Sequence, residues 1–248
     1  MPTLADIKTA ENLKILVQGD SGVGKTCLAS TFPSPIIYID FDNKVDSAAA
    51  FLRSRSNKEQ LENIQVHQFP PGLGISPIDG LTKLINETLI PQQRAGKLAF
   101  KTLVLDSITT FSAATLAHIV KTNPGIKRND TKQGAQPGLQ DYGILRREFQ
   151  RLIPGLLSLP CNVIMLAHLA VEKDEATGAI MRHAMMDGSF ARELPIYFKE
   201  VWRMFAKDGK RLVQTQSDHM FNCRSQIPGL PKELDITAGY EALAKYLT

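Results

Sequence analysis

The segment Gly19-Asp20-Ser21-Gly22-Val23-Gly24-Lys25-Thr26 constrains this chain more than any other. It satisfies the pattern G-x-x-x-x-G-K-[ST] at every fixed position. Leu13 to Val17 before it is an apolar run that reads as a buried strand. Cys27 to Ser30 after it can continue a helix until Pro33 and Pro35 stop it. Strand, glycine loop and helix in that order turn a pattern match into a site. The glycines let the backbone turn tightly and aim its N–H groups inward, and the helix that follows offers its positive end to phosphate oxygens. Gly19, Asp20, Ser21, Gly22, Val23, Gly24, Lys25, Thr26 and Cys27 are therefore the expected cradle of a nucleoside triphosphate. Lys25 is expected to reach the β- and γ-phosphates, and the Thr26 hydroxyl to meet a magnesium ion.

The rest of the chain suits such a site. Its 248 residues fit one domain over 13–248 behind a short polar segment, 1–12. The net charge of +4 permits nucleic-acid binding without demanding it. Cys27, Cys161 and Cys223 are odd in number and widely spaced, which argues against a disulfide framework and fits a reducing cytoplasm. There is no apolar leader and no run long enough to cross a membrane. His219 and Cys223 are spaced like half a zinc site, but no second pair follows, so structural zinc is rejected.

Three further strands end in polar residues. Ile36 to Asp40 runs into Phe41-Asp42, placing carboxylates where open α/β sheets bind ligands. Of the two, Asp42 is the functional candidate, and Asp40 reads as a cap of the next turn. Thr102 to Leu105 ends in Asp106-Ser107, as a phosphate-loop enzyme requires to hold magnesium. Pro160 to Ala167 ends in His168. Helical spacing is expected over Pro77 to Gln93, Ile108 to Val120 and Asp141 to Leu159, sheet material over Leu194 to Phe205, and a hairpin turn at Lys207-Asp208-Gly209-Lys210. Lys121 to Gly138 is rich in Gly, Pro, Asn and Gln and reads as a mobile loop with basic Lys121, Lys127, Arg128 and Lys132. Val171 to Ser189 reads as a loop or hairpin carrying Lys173, Arg182 and His183.

The order of phosphate loop, strand ending Tyr-Ile-Asp-x-acid, strand ending Asp-Ser, basic loop, helix and strand ending in a polar residue resembles the RecA-like recombinase core, from about Leu13 to Arg224. The size, His168 and Gln140-Asp141-Tyr142-Gly143 look most like the core-only RecA-like ATPases of bacteriophages, some of which are single-strand annealing proteins. The resemblance implies an α/β fold with a mostly parallel central sheet flanked by helices and late antiparallel strands. It also implies ATP and Mg2+ as cofactors, single-stranded DNA as a partner, homo-oligomers in a ring or filament, and a host-cytoplasmic setting if phage-encoded. Asp42 stands where the family's Glu activates the attacking water, with a shorter reach. Asp106 matches the magnesium carboxylate, and His168 the polar residue that senses the γ-phosphate and leads into a DNA-binding loop. Val171 to Ser189 would be that loop, with Lys121 to Gly138 in the region of another. Arg224 matches the Arg of a late Lys-x-Arg pair that reaches a neighbour's nucleotide, but Asn222 replaces the Lys.

Two rival readings stay open. One is a nucleotide-switched protein that loads or regulates a single-strand-binding, replication or recombination partner. The other is a ring helicase or packaging motor, ranked lower because no second motor, nuclease or primase segment is present.

Overall fold

The protein was studied as a computed structural model, which describes residues 12–69, 76–131, 134–173, 175, 178 and 180–247. The short apolar runs become strands, and the amphipathic stretches between them become the helices that cover the sheet. In chain order these are β1 (Lys14–Gln18), α1 (Lys25–Ala29), β2 (Ile36–Asp40), α2 (Asp46–Ser54), α3 (Lys58–Glu62), β3 (Ile64–Gln68), α4 (Pro77–Leu84) and, after a π-helical turn at Ile85–Leu89, α5 (Ile90–Arg94). There follow β4 (Thr102–Asp106), α6 (Ile108–Thr122), the two-residue strands β5 (Asp130–Thr131) and β6 (Gly134–Ala135), α7 (Leu139–Leu157), β7 (Asn162–Ala167), β8 (Leu169–Lys173) and β9 (Ile180–Ala184). The chain closes with α8 (Phe190–Glu193), a 3-10 turn at Leu194–Tyr197, β10 (Glu200–Lys207), β11 (Lys210–Gln214), β12 (Glu233–Asp235) and α9 (Glu241–Ala244).

An eight-stranded sheet runs β12-β11-β10-β1-β7-β4-β2-β3. From β10 to β3 every pair is parallel, and β11 and β12 add on antiparallel. This is the RecA-like phosphate-loop NTPase core, with β7 lying between the phosphate-loop strand β1 and the carboxylate strand β4.

Strand alternation divides the core into two layers. Leu16, Ile37, Ile39, Leu103, Leu105, Val163 and Met165 face the layer built with Phe111 of α6 and Phe149 of α7. Ile15, Val17, Ile36, Tyr38, Val104, Ile164 and Leu166 face Leu28 of α1, Trp202 of β10 and Leu243 of α9. Both faces are covered, so these strands are continuous apolar runs rather than alternating ones.

The expected sheet material at Leu194 to Phe205 is only half strand. Leu194–Tyr197 coils into a 3-10 turn around Pro195, whose ring lacks the N–H a ladder needs, and the strand begins at Glu200. Val171 to Ser189 belongs to the β8–β9 hairpin as far as Ala184, and Lys121 to Gly138 contains the small β5–β6 ladder. Pro70-Pro71-Gly72-Leu73-Gly74, which by its composition reads as a loop, and the N-terminal segment up to residue 11 lie outside the described residues.

Candidate functional site

Register brings the polar strand ends together. Asp40 lies opposite Asp106, Asp106 opposite Leu166, and Gln18 opposite Ala167. The residues that follow these ends, Gly19, Asp42, Ser107 and His168, therefore emerge along one edge of the sheet, where open α/β folds bind ligands.

In the phosphate loop, Gly22 (φ 78°) and Gly24 (φ 100°) take left-handed conformations that only glycine adopts without strain. Lys25 is buried, and its ammonium donates to the carbonyls of Gly19 at 2.8 Å and Asp20 at 2.9 Å. Burial pushes this ammonium below its usual pKa range, while the charges of Asp106, Asp42 and Asp20 pull the other way. The Thr26 hydroxyl donates to Asp106 Oδ2 at 2.7 Å. These groups fit a magnesium-bound triphosphate: a cation inside a glycine loop, and a hydroxyl joined to a carboxylate at the loop's end. Lys25 and the loop amides are the candidates to hold phosphate oxygens. Thr26 and Asp106 are the candidates to hold magnesium, directly or through its waters.

Asp106 has a second partner that the sequence did not announce. The fully buried Tyr38, in the middle of β2, donates its hydroxyl to the same Oδ2 at 2.6 Å. Burial raises the Asp106 carboxyl above the usual range, against the pull of the Tyr38 and Thr26 hydrogen bonds. Burial, with the Asp106 charge beside it, keeps the Tyr38 phenol well above its ordinary value, so it remains a donor. By pattern Tyr38 is a core aromatic in a strand; only the pairing of β2 with β4 reveals the contact.

Asp42 sits in a separate set of contacts. The Ser107 hydroxyl donates to Oδ1 at 2.9 Å, and His168 Nε2 lies 3.4 Å from Oδ2. Ser107 also caps α6, accepting from Thr110 N at 3.3 Å. Burial alone would raise the Asp42 carboxyl, but hydrogen bonds from His168, Thr110 and Ser107 outweigh it and hold the group well below the usual carboxylate range. Asp42 and Asp106, on the sheet edge that carries the glycine loop, are thus pushed in opposite directions, a pattern that separates roles in a site. Asp40 accepts from Lys44 N, Val45 N and Gln68 Nε2, the turn-capping role expected of it.

The remaining candidates scatter. Arg128 was expected as a loop cation open to phosphates. Instead its side chain is 5% exposed and forms a two-pronged pair with the fully buried Asp141, at 2.6 and 2.8 Å, with a third bond to Asn123 O. Each of its three nitrogens thus has a partner within the fold, which removes it from the loop's free cations. Lys121, Lys127 and Lys173 are exposed. Lys132 lies outside the described residues. His183 Nε2 is 3.3 Å from Glu172 Oε2, and Arg182 stands over the Phe221 ring. Arg224 donates to the carbonyls of Phe198 and Pro195, anchoring the late segment beside β10. Reaching a neighbour's nucleotide would require it to give up those partners.

Residues 11–226 match the model of a family described as an AAA domain. No curated protein matches the sequence. Among solved structures, the chain is similar to a KaiC-like protein from the hyperthermophilic archaeon Pyrococcus horikoshii, with a TM-score of 0.47 and 14% identity over 90% of this chain and 84% of that one. Among the described residues, no helix is long and apolar enough to cross a membrane.

Proposed function

The chain belongs to the AAA domain family of phosphate-loop ATPases, and on that premise we propose a magnesium-dependent ATPase that binds single-stranded DNA, assembles with its own copies, and serves recombination or strand annealing. The observation that carries this reading is the contact between Asp42 and His168 at 3.4 Å, because His168 is the residue between β7 and the exposed β8–β9 hairpin. In this reading the carboxylate that meets the attacking water is joined to the segment that meets a second ligand.

In this reading Lys25 and the loop amides orient the triphosphate, and Asp106 orders the metal's waters. Asp42 orients the attacking water. Its depressed carboxyl makes it a weak base, so positioning outweighs proton abstraction. His168, hydrogen-bonded to Asp42 in this state, exchanges that partner when a γ-phosphate arrives and moves the start of β8. Thr26 and Asp106 would hold magnesium, which when bound would neutralise charge on the triphosphate.

Tyr38 acts as a positioning residue for Asp106. Tyr38→Phe keeps the ring that fills the core and removes the donor. The Mg2+ concentration for half-maximal turnover is expected to rise about tenfold, which corresponds to the low end of the roughly 1.5–3 kcal/mol of a hydrogen bond to a charged group. An unchanged Mg2+ requirement with a lowered melting temperature would make Tyr38 a packing residue only.

A second reading, a nucleotide-switched protein acting on a protein partner, is favoured by the burial of Arg128 and by the exposed apolar Val171, Ile180 and Met181 on the hairpin. Magnesium-dependent ATP hydrolysis measured with and without single-stranded DNA separates the two. Stimulation by DNA is expected; hydrolysis indifferent to DNA would select the partner-regulated switch.

A further inference from the structure

Resting on the single-stranded DNA reading, we propose that Arg182, Arg203 and Phe221 form a clamp for a backbone phosphodiester of that strand. Arg203 of β10 lies opposite Gln18, the last residue of β1, and Gln18 lies opposite Ala167, the residue before His168. The Arg203 guanidinium carbon stands 3.8 Å from the centre of the Phe221 ring and 4.6 Å from that of Phe205. Arg182, on β9, holds its guanidinium carbon 5.7 Å from the same Phe221 ring. The backbone fixes the ring in place: Arg182 N donates to Met220 O at 2.9 Å, and Gln18 Nε2 donates to Asn222 O at 3.1 Å.

Two cations thus share one buried ring. Among the described residues neither arginine forms an ion pair with a carboxylate. Arg203 makes one hydrogen bond, to Gln214 Oε1 at 3.2 Å, and Arg182 Nε is buried without a partner. Asp218, in the same segment, accepts from Met220 N, Phe221 N and Gln214 Nε2, and its charge, with that of Asp20, acts on Arg203 at a distance without forming an ion pair. Paired, half-buried guanidiniums repel and lose hydration, and an oxyanion relieves both costs. Their flat forks suit a phosphate, and stacking on the ring holds the planes ready.

The placement selects a nucleic-acid phosphate over the nucleotide's. Lys25, within the phosphate loop, is already the cation at the proposed triphosphate site. Arg182 belongs to the hairpin that starts at His168, and the exposed Val171 lies directly opposite it, with Met181 next in sequence. Charge beside apolar surface is what a single strand with unstacked bases requires.

The test is fluorescence anisotropy with labelled oligonucleotides of mixed sequence and of dT, over a series of salt concentrations, for the wild type, Arg182→Gln, Arg203→Gln, the double variant and Arg203→Lys. Each neutralised arginine is expected to weaken binding equally for both sequences and to make the slope of log affinity against log salt shallower by about 0.7. Arg203→Lys keeps the charge and loses the stacked plane, so its slope is expected to stay near the wild type's with intermediate affinity. It also serves if a Gln variant fails to fold. Wild-type slopes in folded Gln variants would overturn the clamp alone. Loss of ATP affinity with an unchanged DNA slope would assign the anion to the nucleotide and overturn it as well. A wild-type protein that binds neither oligonucleotide would overturn the clamp and the DNA reading together.

Discussion

Asp42→Asn is expected to lower the turnover number by about 10²-fold, the low end of the ~10²–10⁴ range for a positioned acid–base group, while ATP affinity stays near that of the wild type. The carboxylate contacts Ser107 and His168, and none of its described hydrogen bonds goes to the phosphate loop, so on the proposed mechanism the substitution removes the group that orients the attacking water and leaves the loop's own contacts in place. The low end follows from chemistry. A carboxylate stabilised by three donors has little basicity to offer, so its worth lies in orienting the water. Stability should follow the same linkage. The folded-state pKa is depressed, so the ionised group contributes stability that is present above its unfolded value of about 3.9 and lost as pH falls through the folded one. The difference in stability between wild type and Asp42→Asn is therefore expected to be full at neutral pH and to shrink below about pH 4, as measured by denaturant unfolding across that range. A turnover number unchanged by the substitution would remove Asp42 from the chemistry.

The strand ends were legible because each is a local pattern: an apolar β-branched run stopped by Asp40, Asp106 or His168. In a parallel sheet such ends fall on one edge whatever the strand order, so the candidates could be gathered before any topology was known. What stayed hidden depends on partners far along the chain. Tyr38 reads as core because alternation assigns it to a face and says nothing of the carboxylate on the next strand. Arg128 reads as a loop cation because Asp141 looks like an ordinary first-turn acid of α7; only the fold brings the loop back across that helix start. Arg203 and Phe221 lie in separate segments, and their stacking arises when the 218–224 stretch crosses β10, where Val201 and Arg224 exchange backbone hydrogen bonds. Periodicity predicts which side of an element is buried. It carries no information about which buried polar groups meet.

Lys25→Ala should have the largest effect of all, lowering kcat/KM for ATP by at least about a thousandfold. Two losses combine. The ammonium's charge-assisted hydrogen bonds to phosphate oxygens are worth roughly 1.5–3 kcal/mol, or about ten- to a hundredfold in binding. A donor aimed at charge that develops during transfer contributes about another 10²–10³ in turnover. The structure shows why no neighbour substitutes for it. Lys25 is buried at the centre of the loop, bonded to the carbonyls of Gly19 and Asp20, and the acidic groups around it are Asp106, Asp42 and Asp20. Without the ammonium these carboxylates repel an incoming triphosphate. Lys25→Arg should fare little better, because the planar guanidinium cannot sit within a loop closed around a compact ammonium. Equilibrium binding of a fluorescent ATP analogue and single-turnover hydrolysis separate the two contributions. A variant that binds normally and fails only in turnover would confine Lys25 to the transition state. One that retains both within tenfold would show that this loop is not the nucleotide site, and the roles of Asp42, Asp106 and His168 would fall with it.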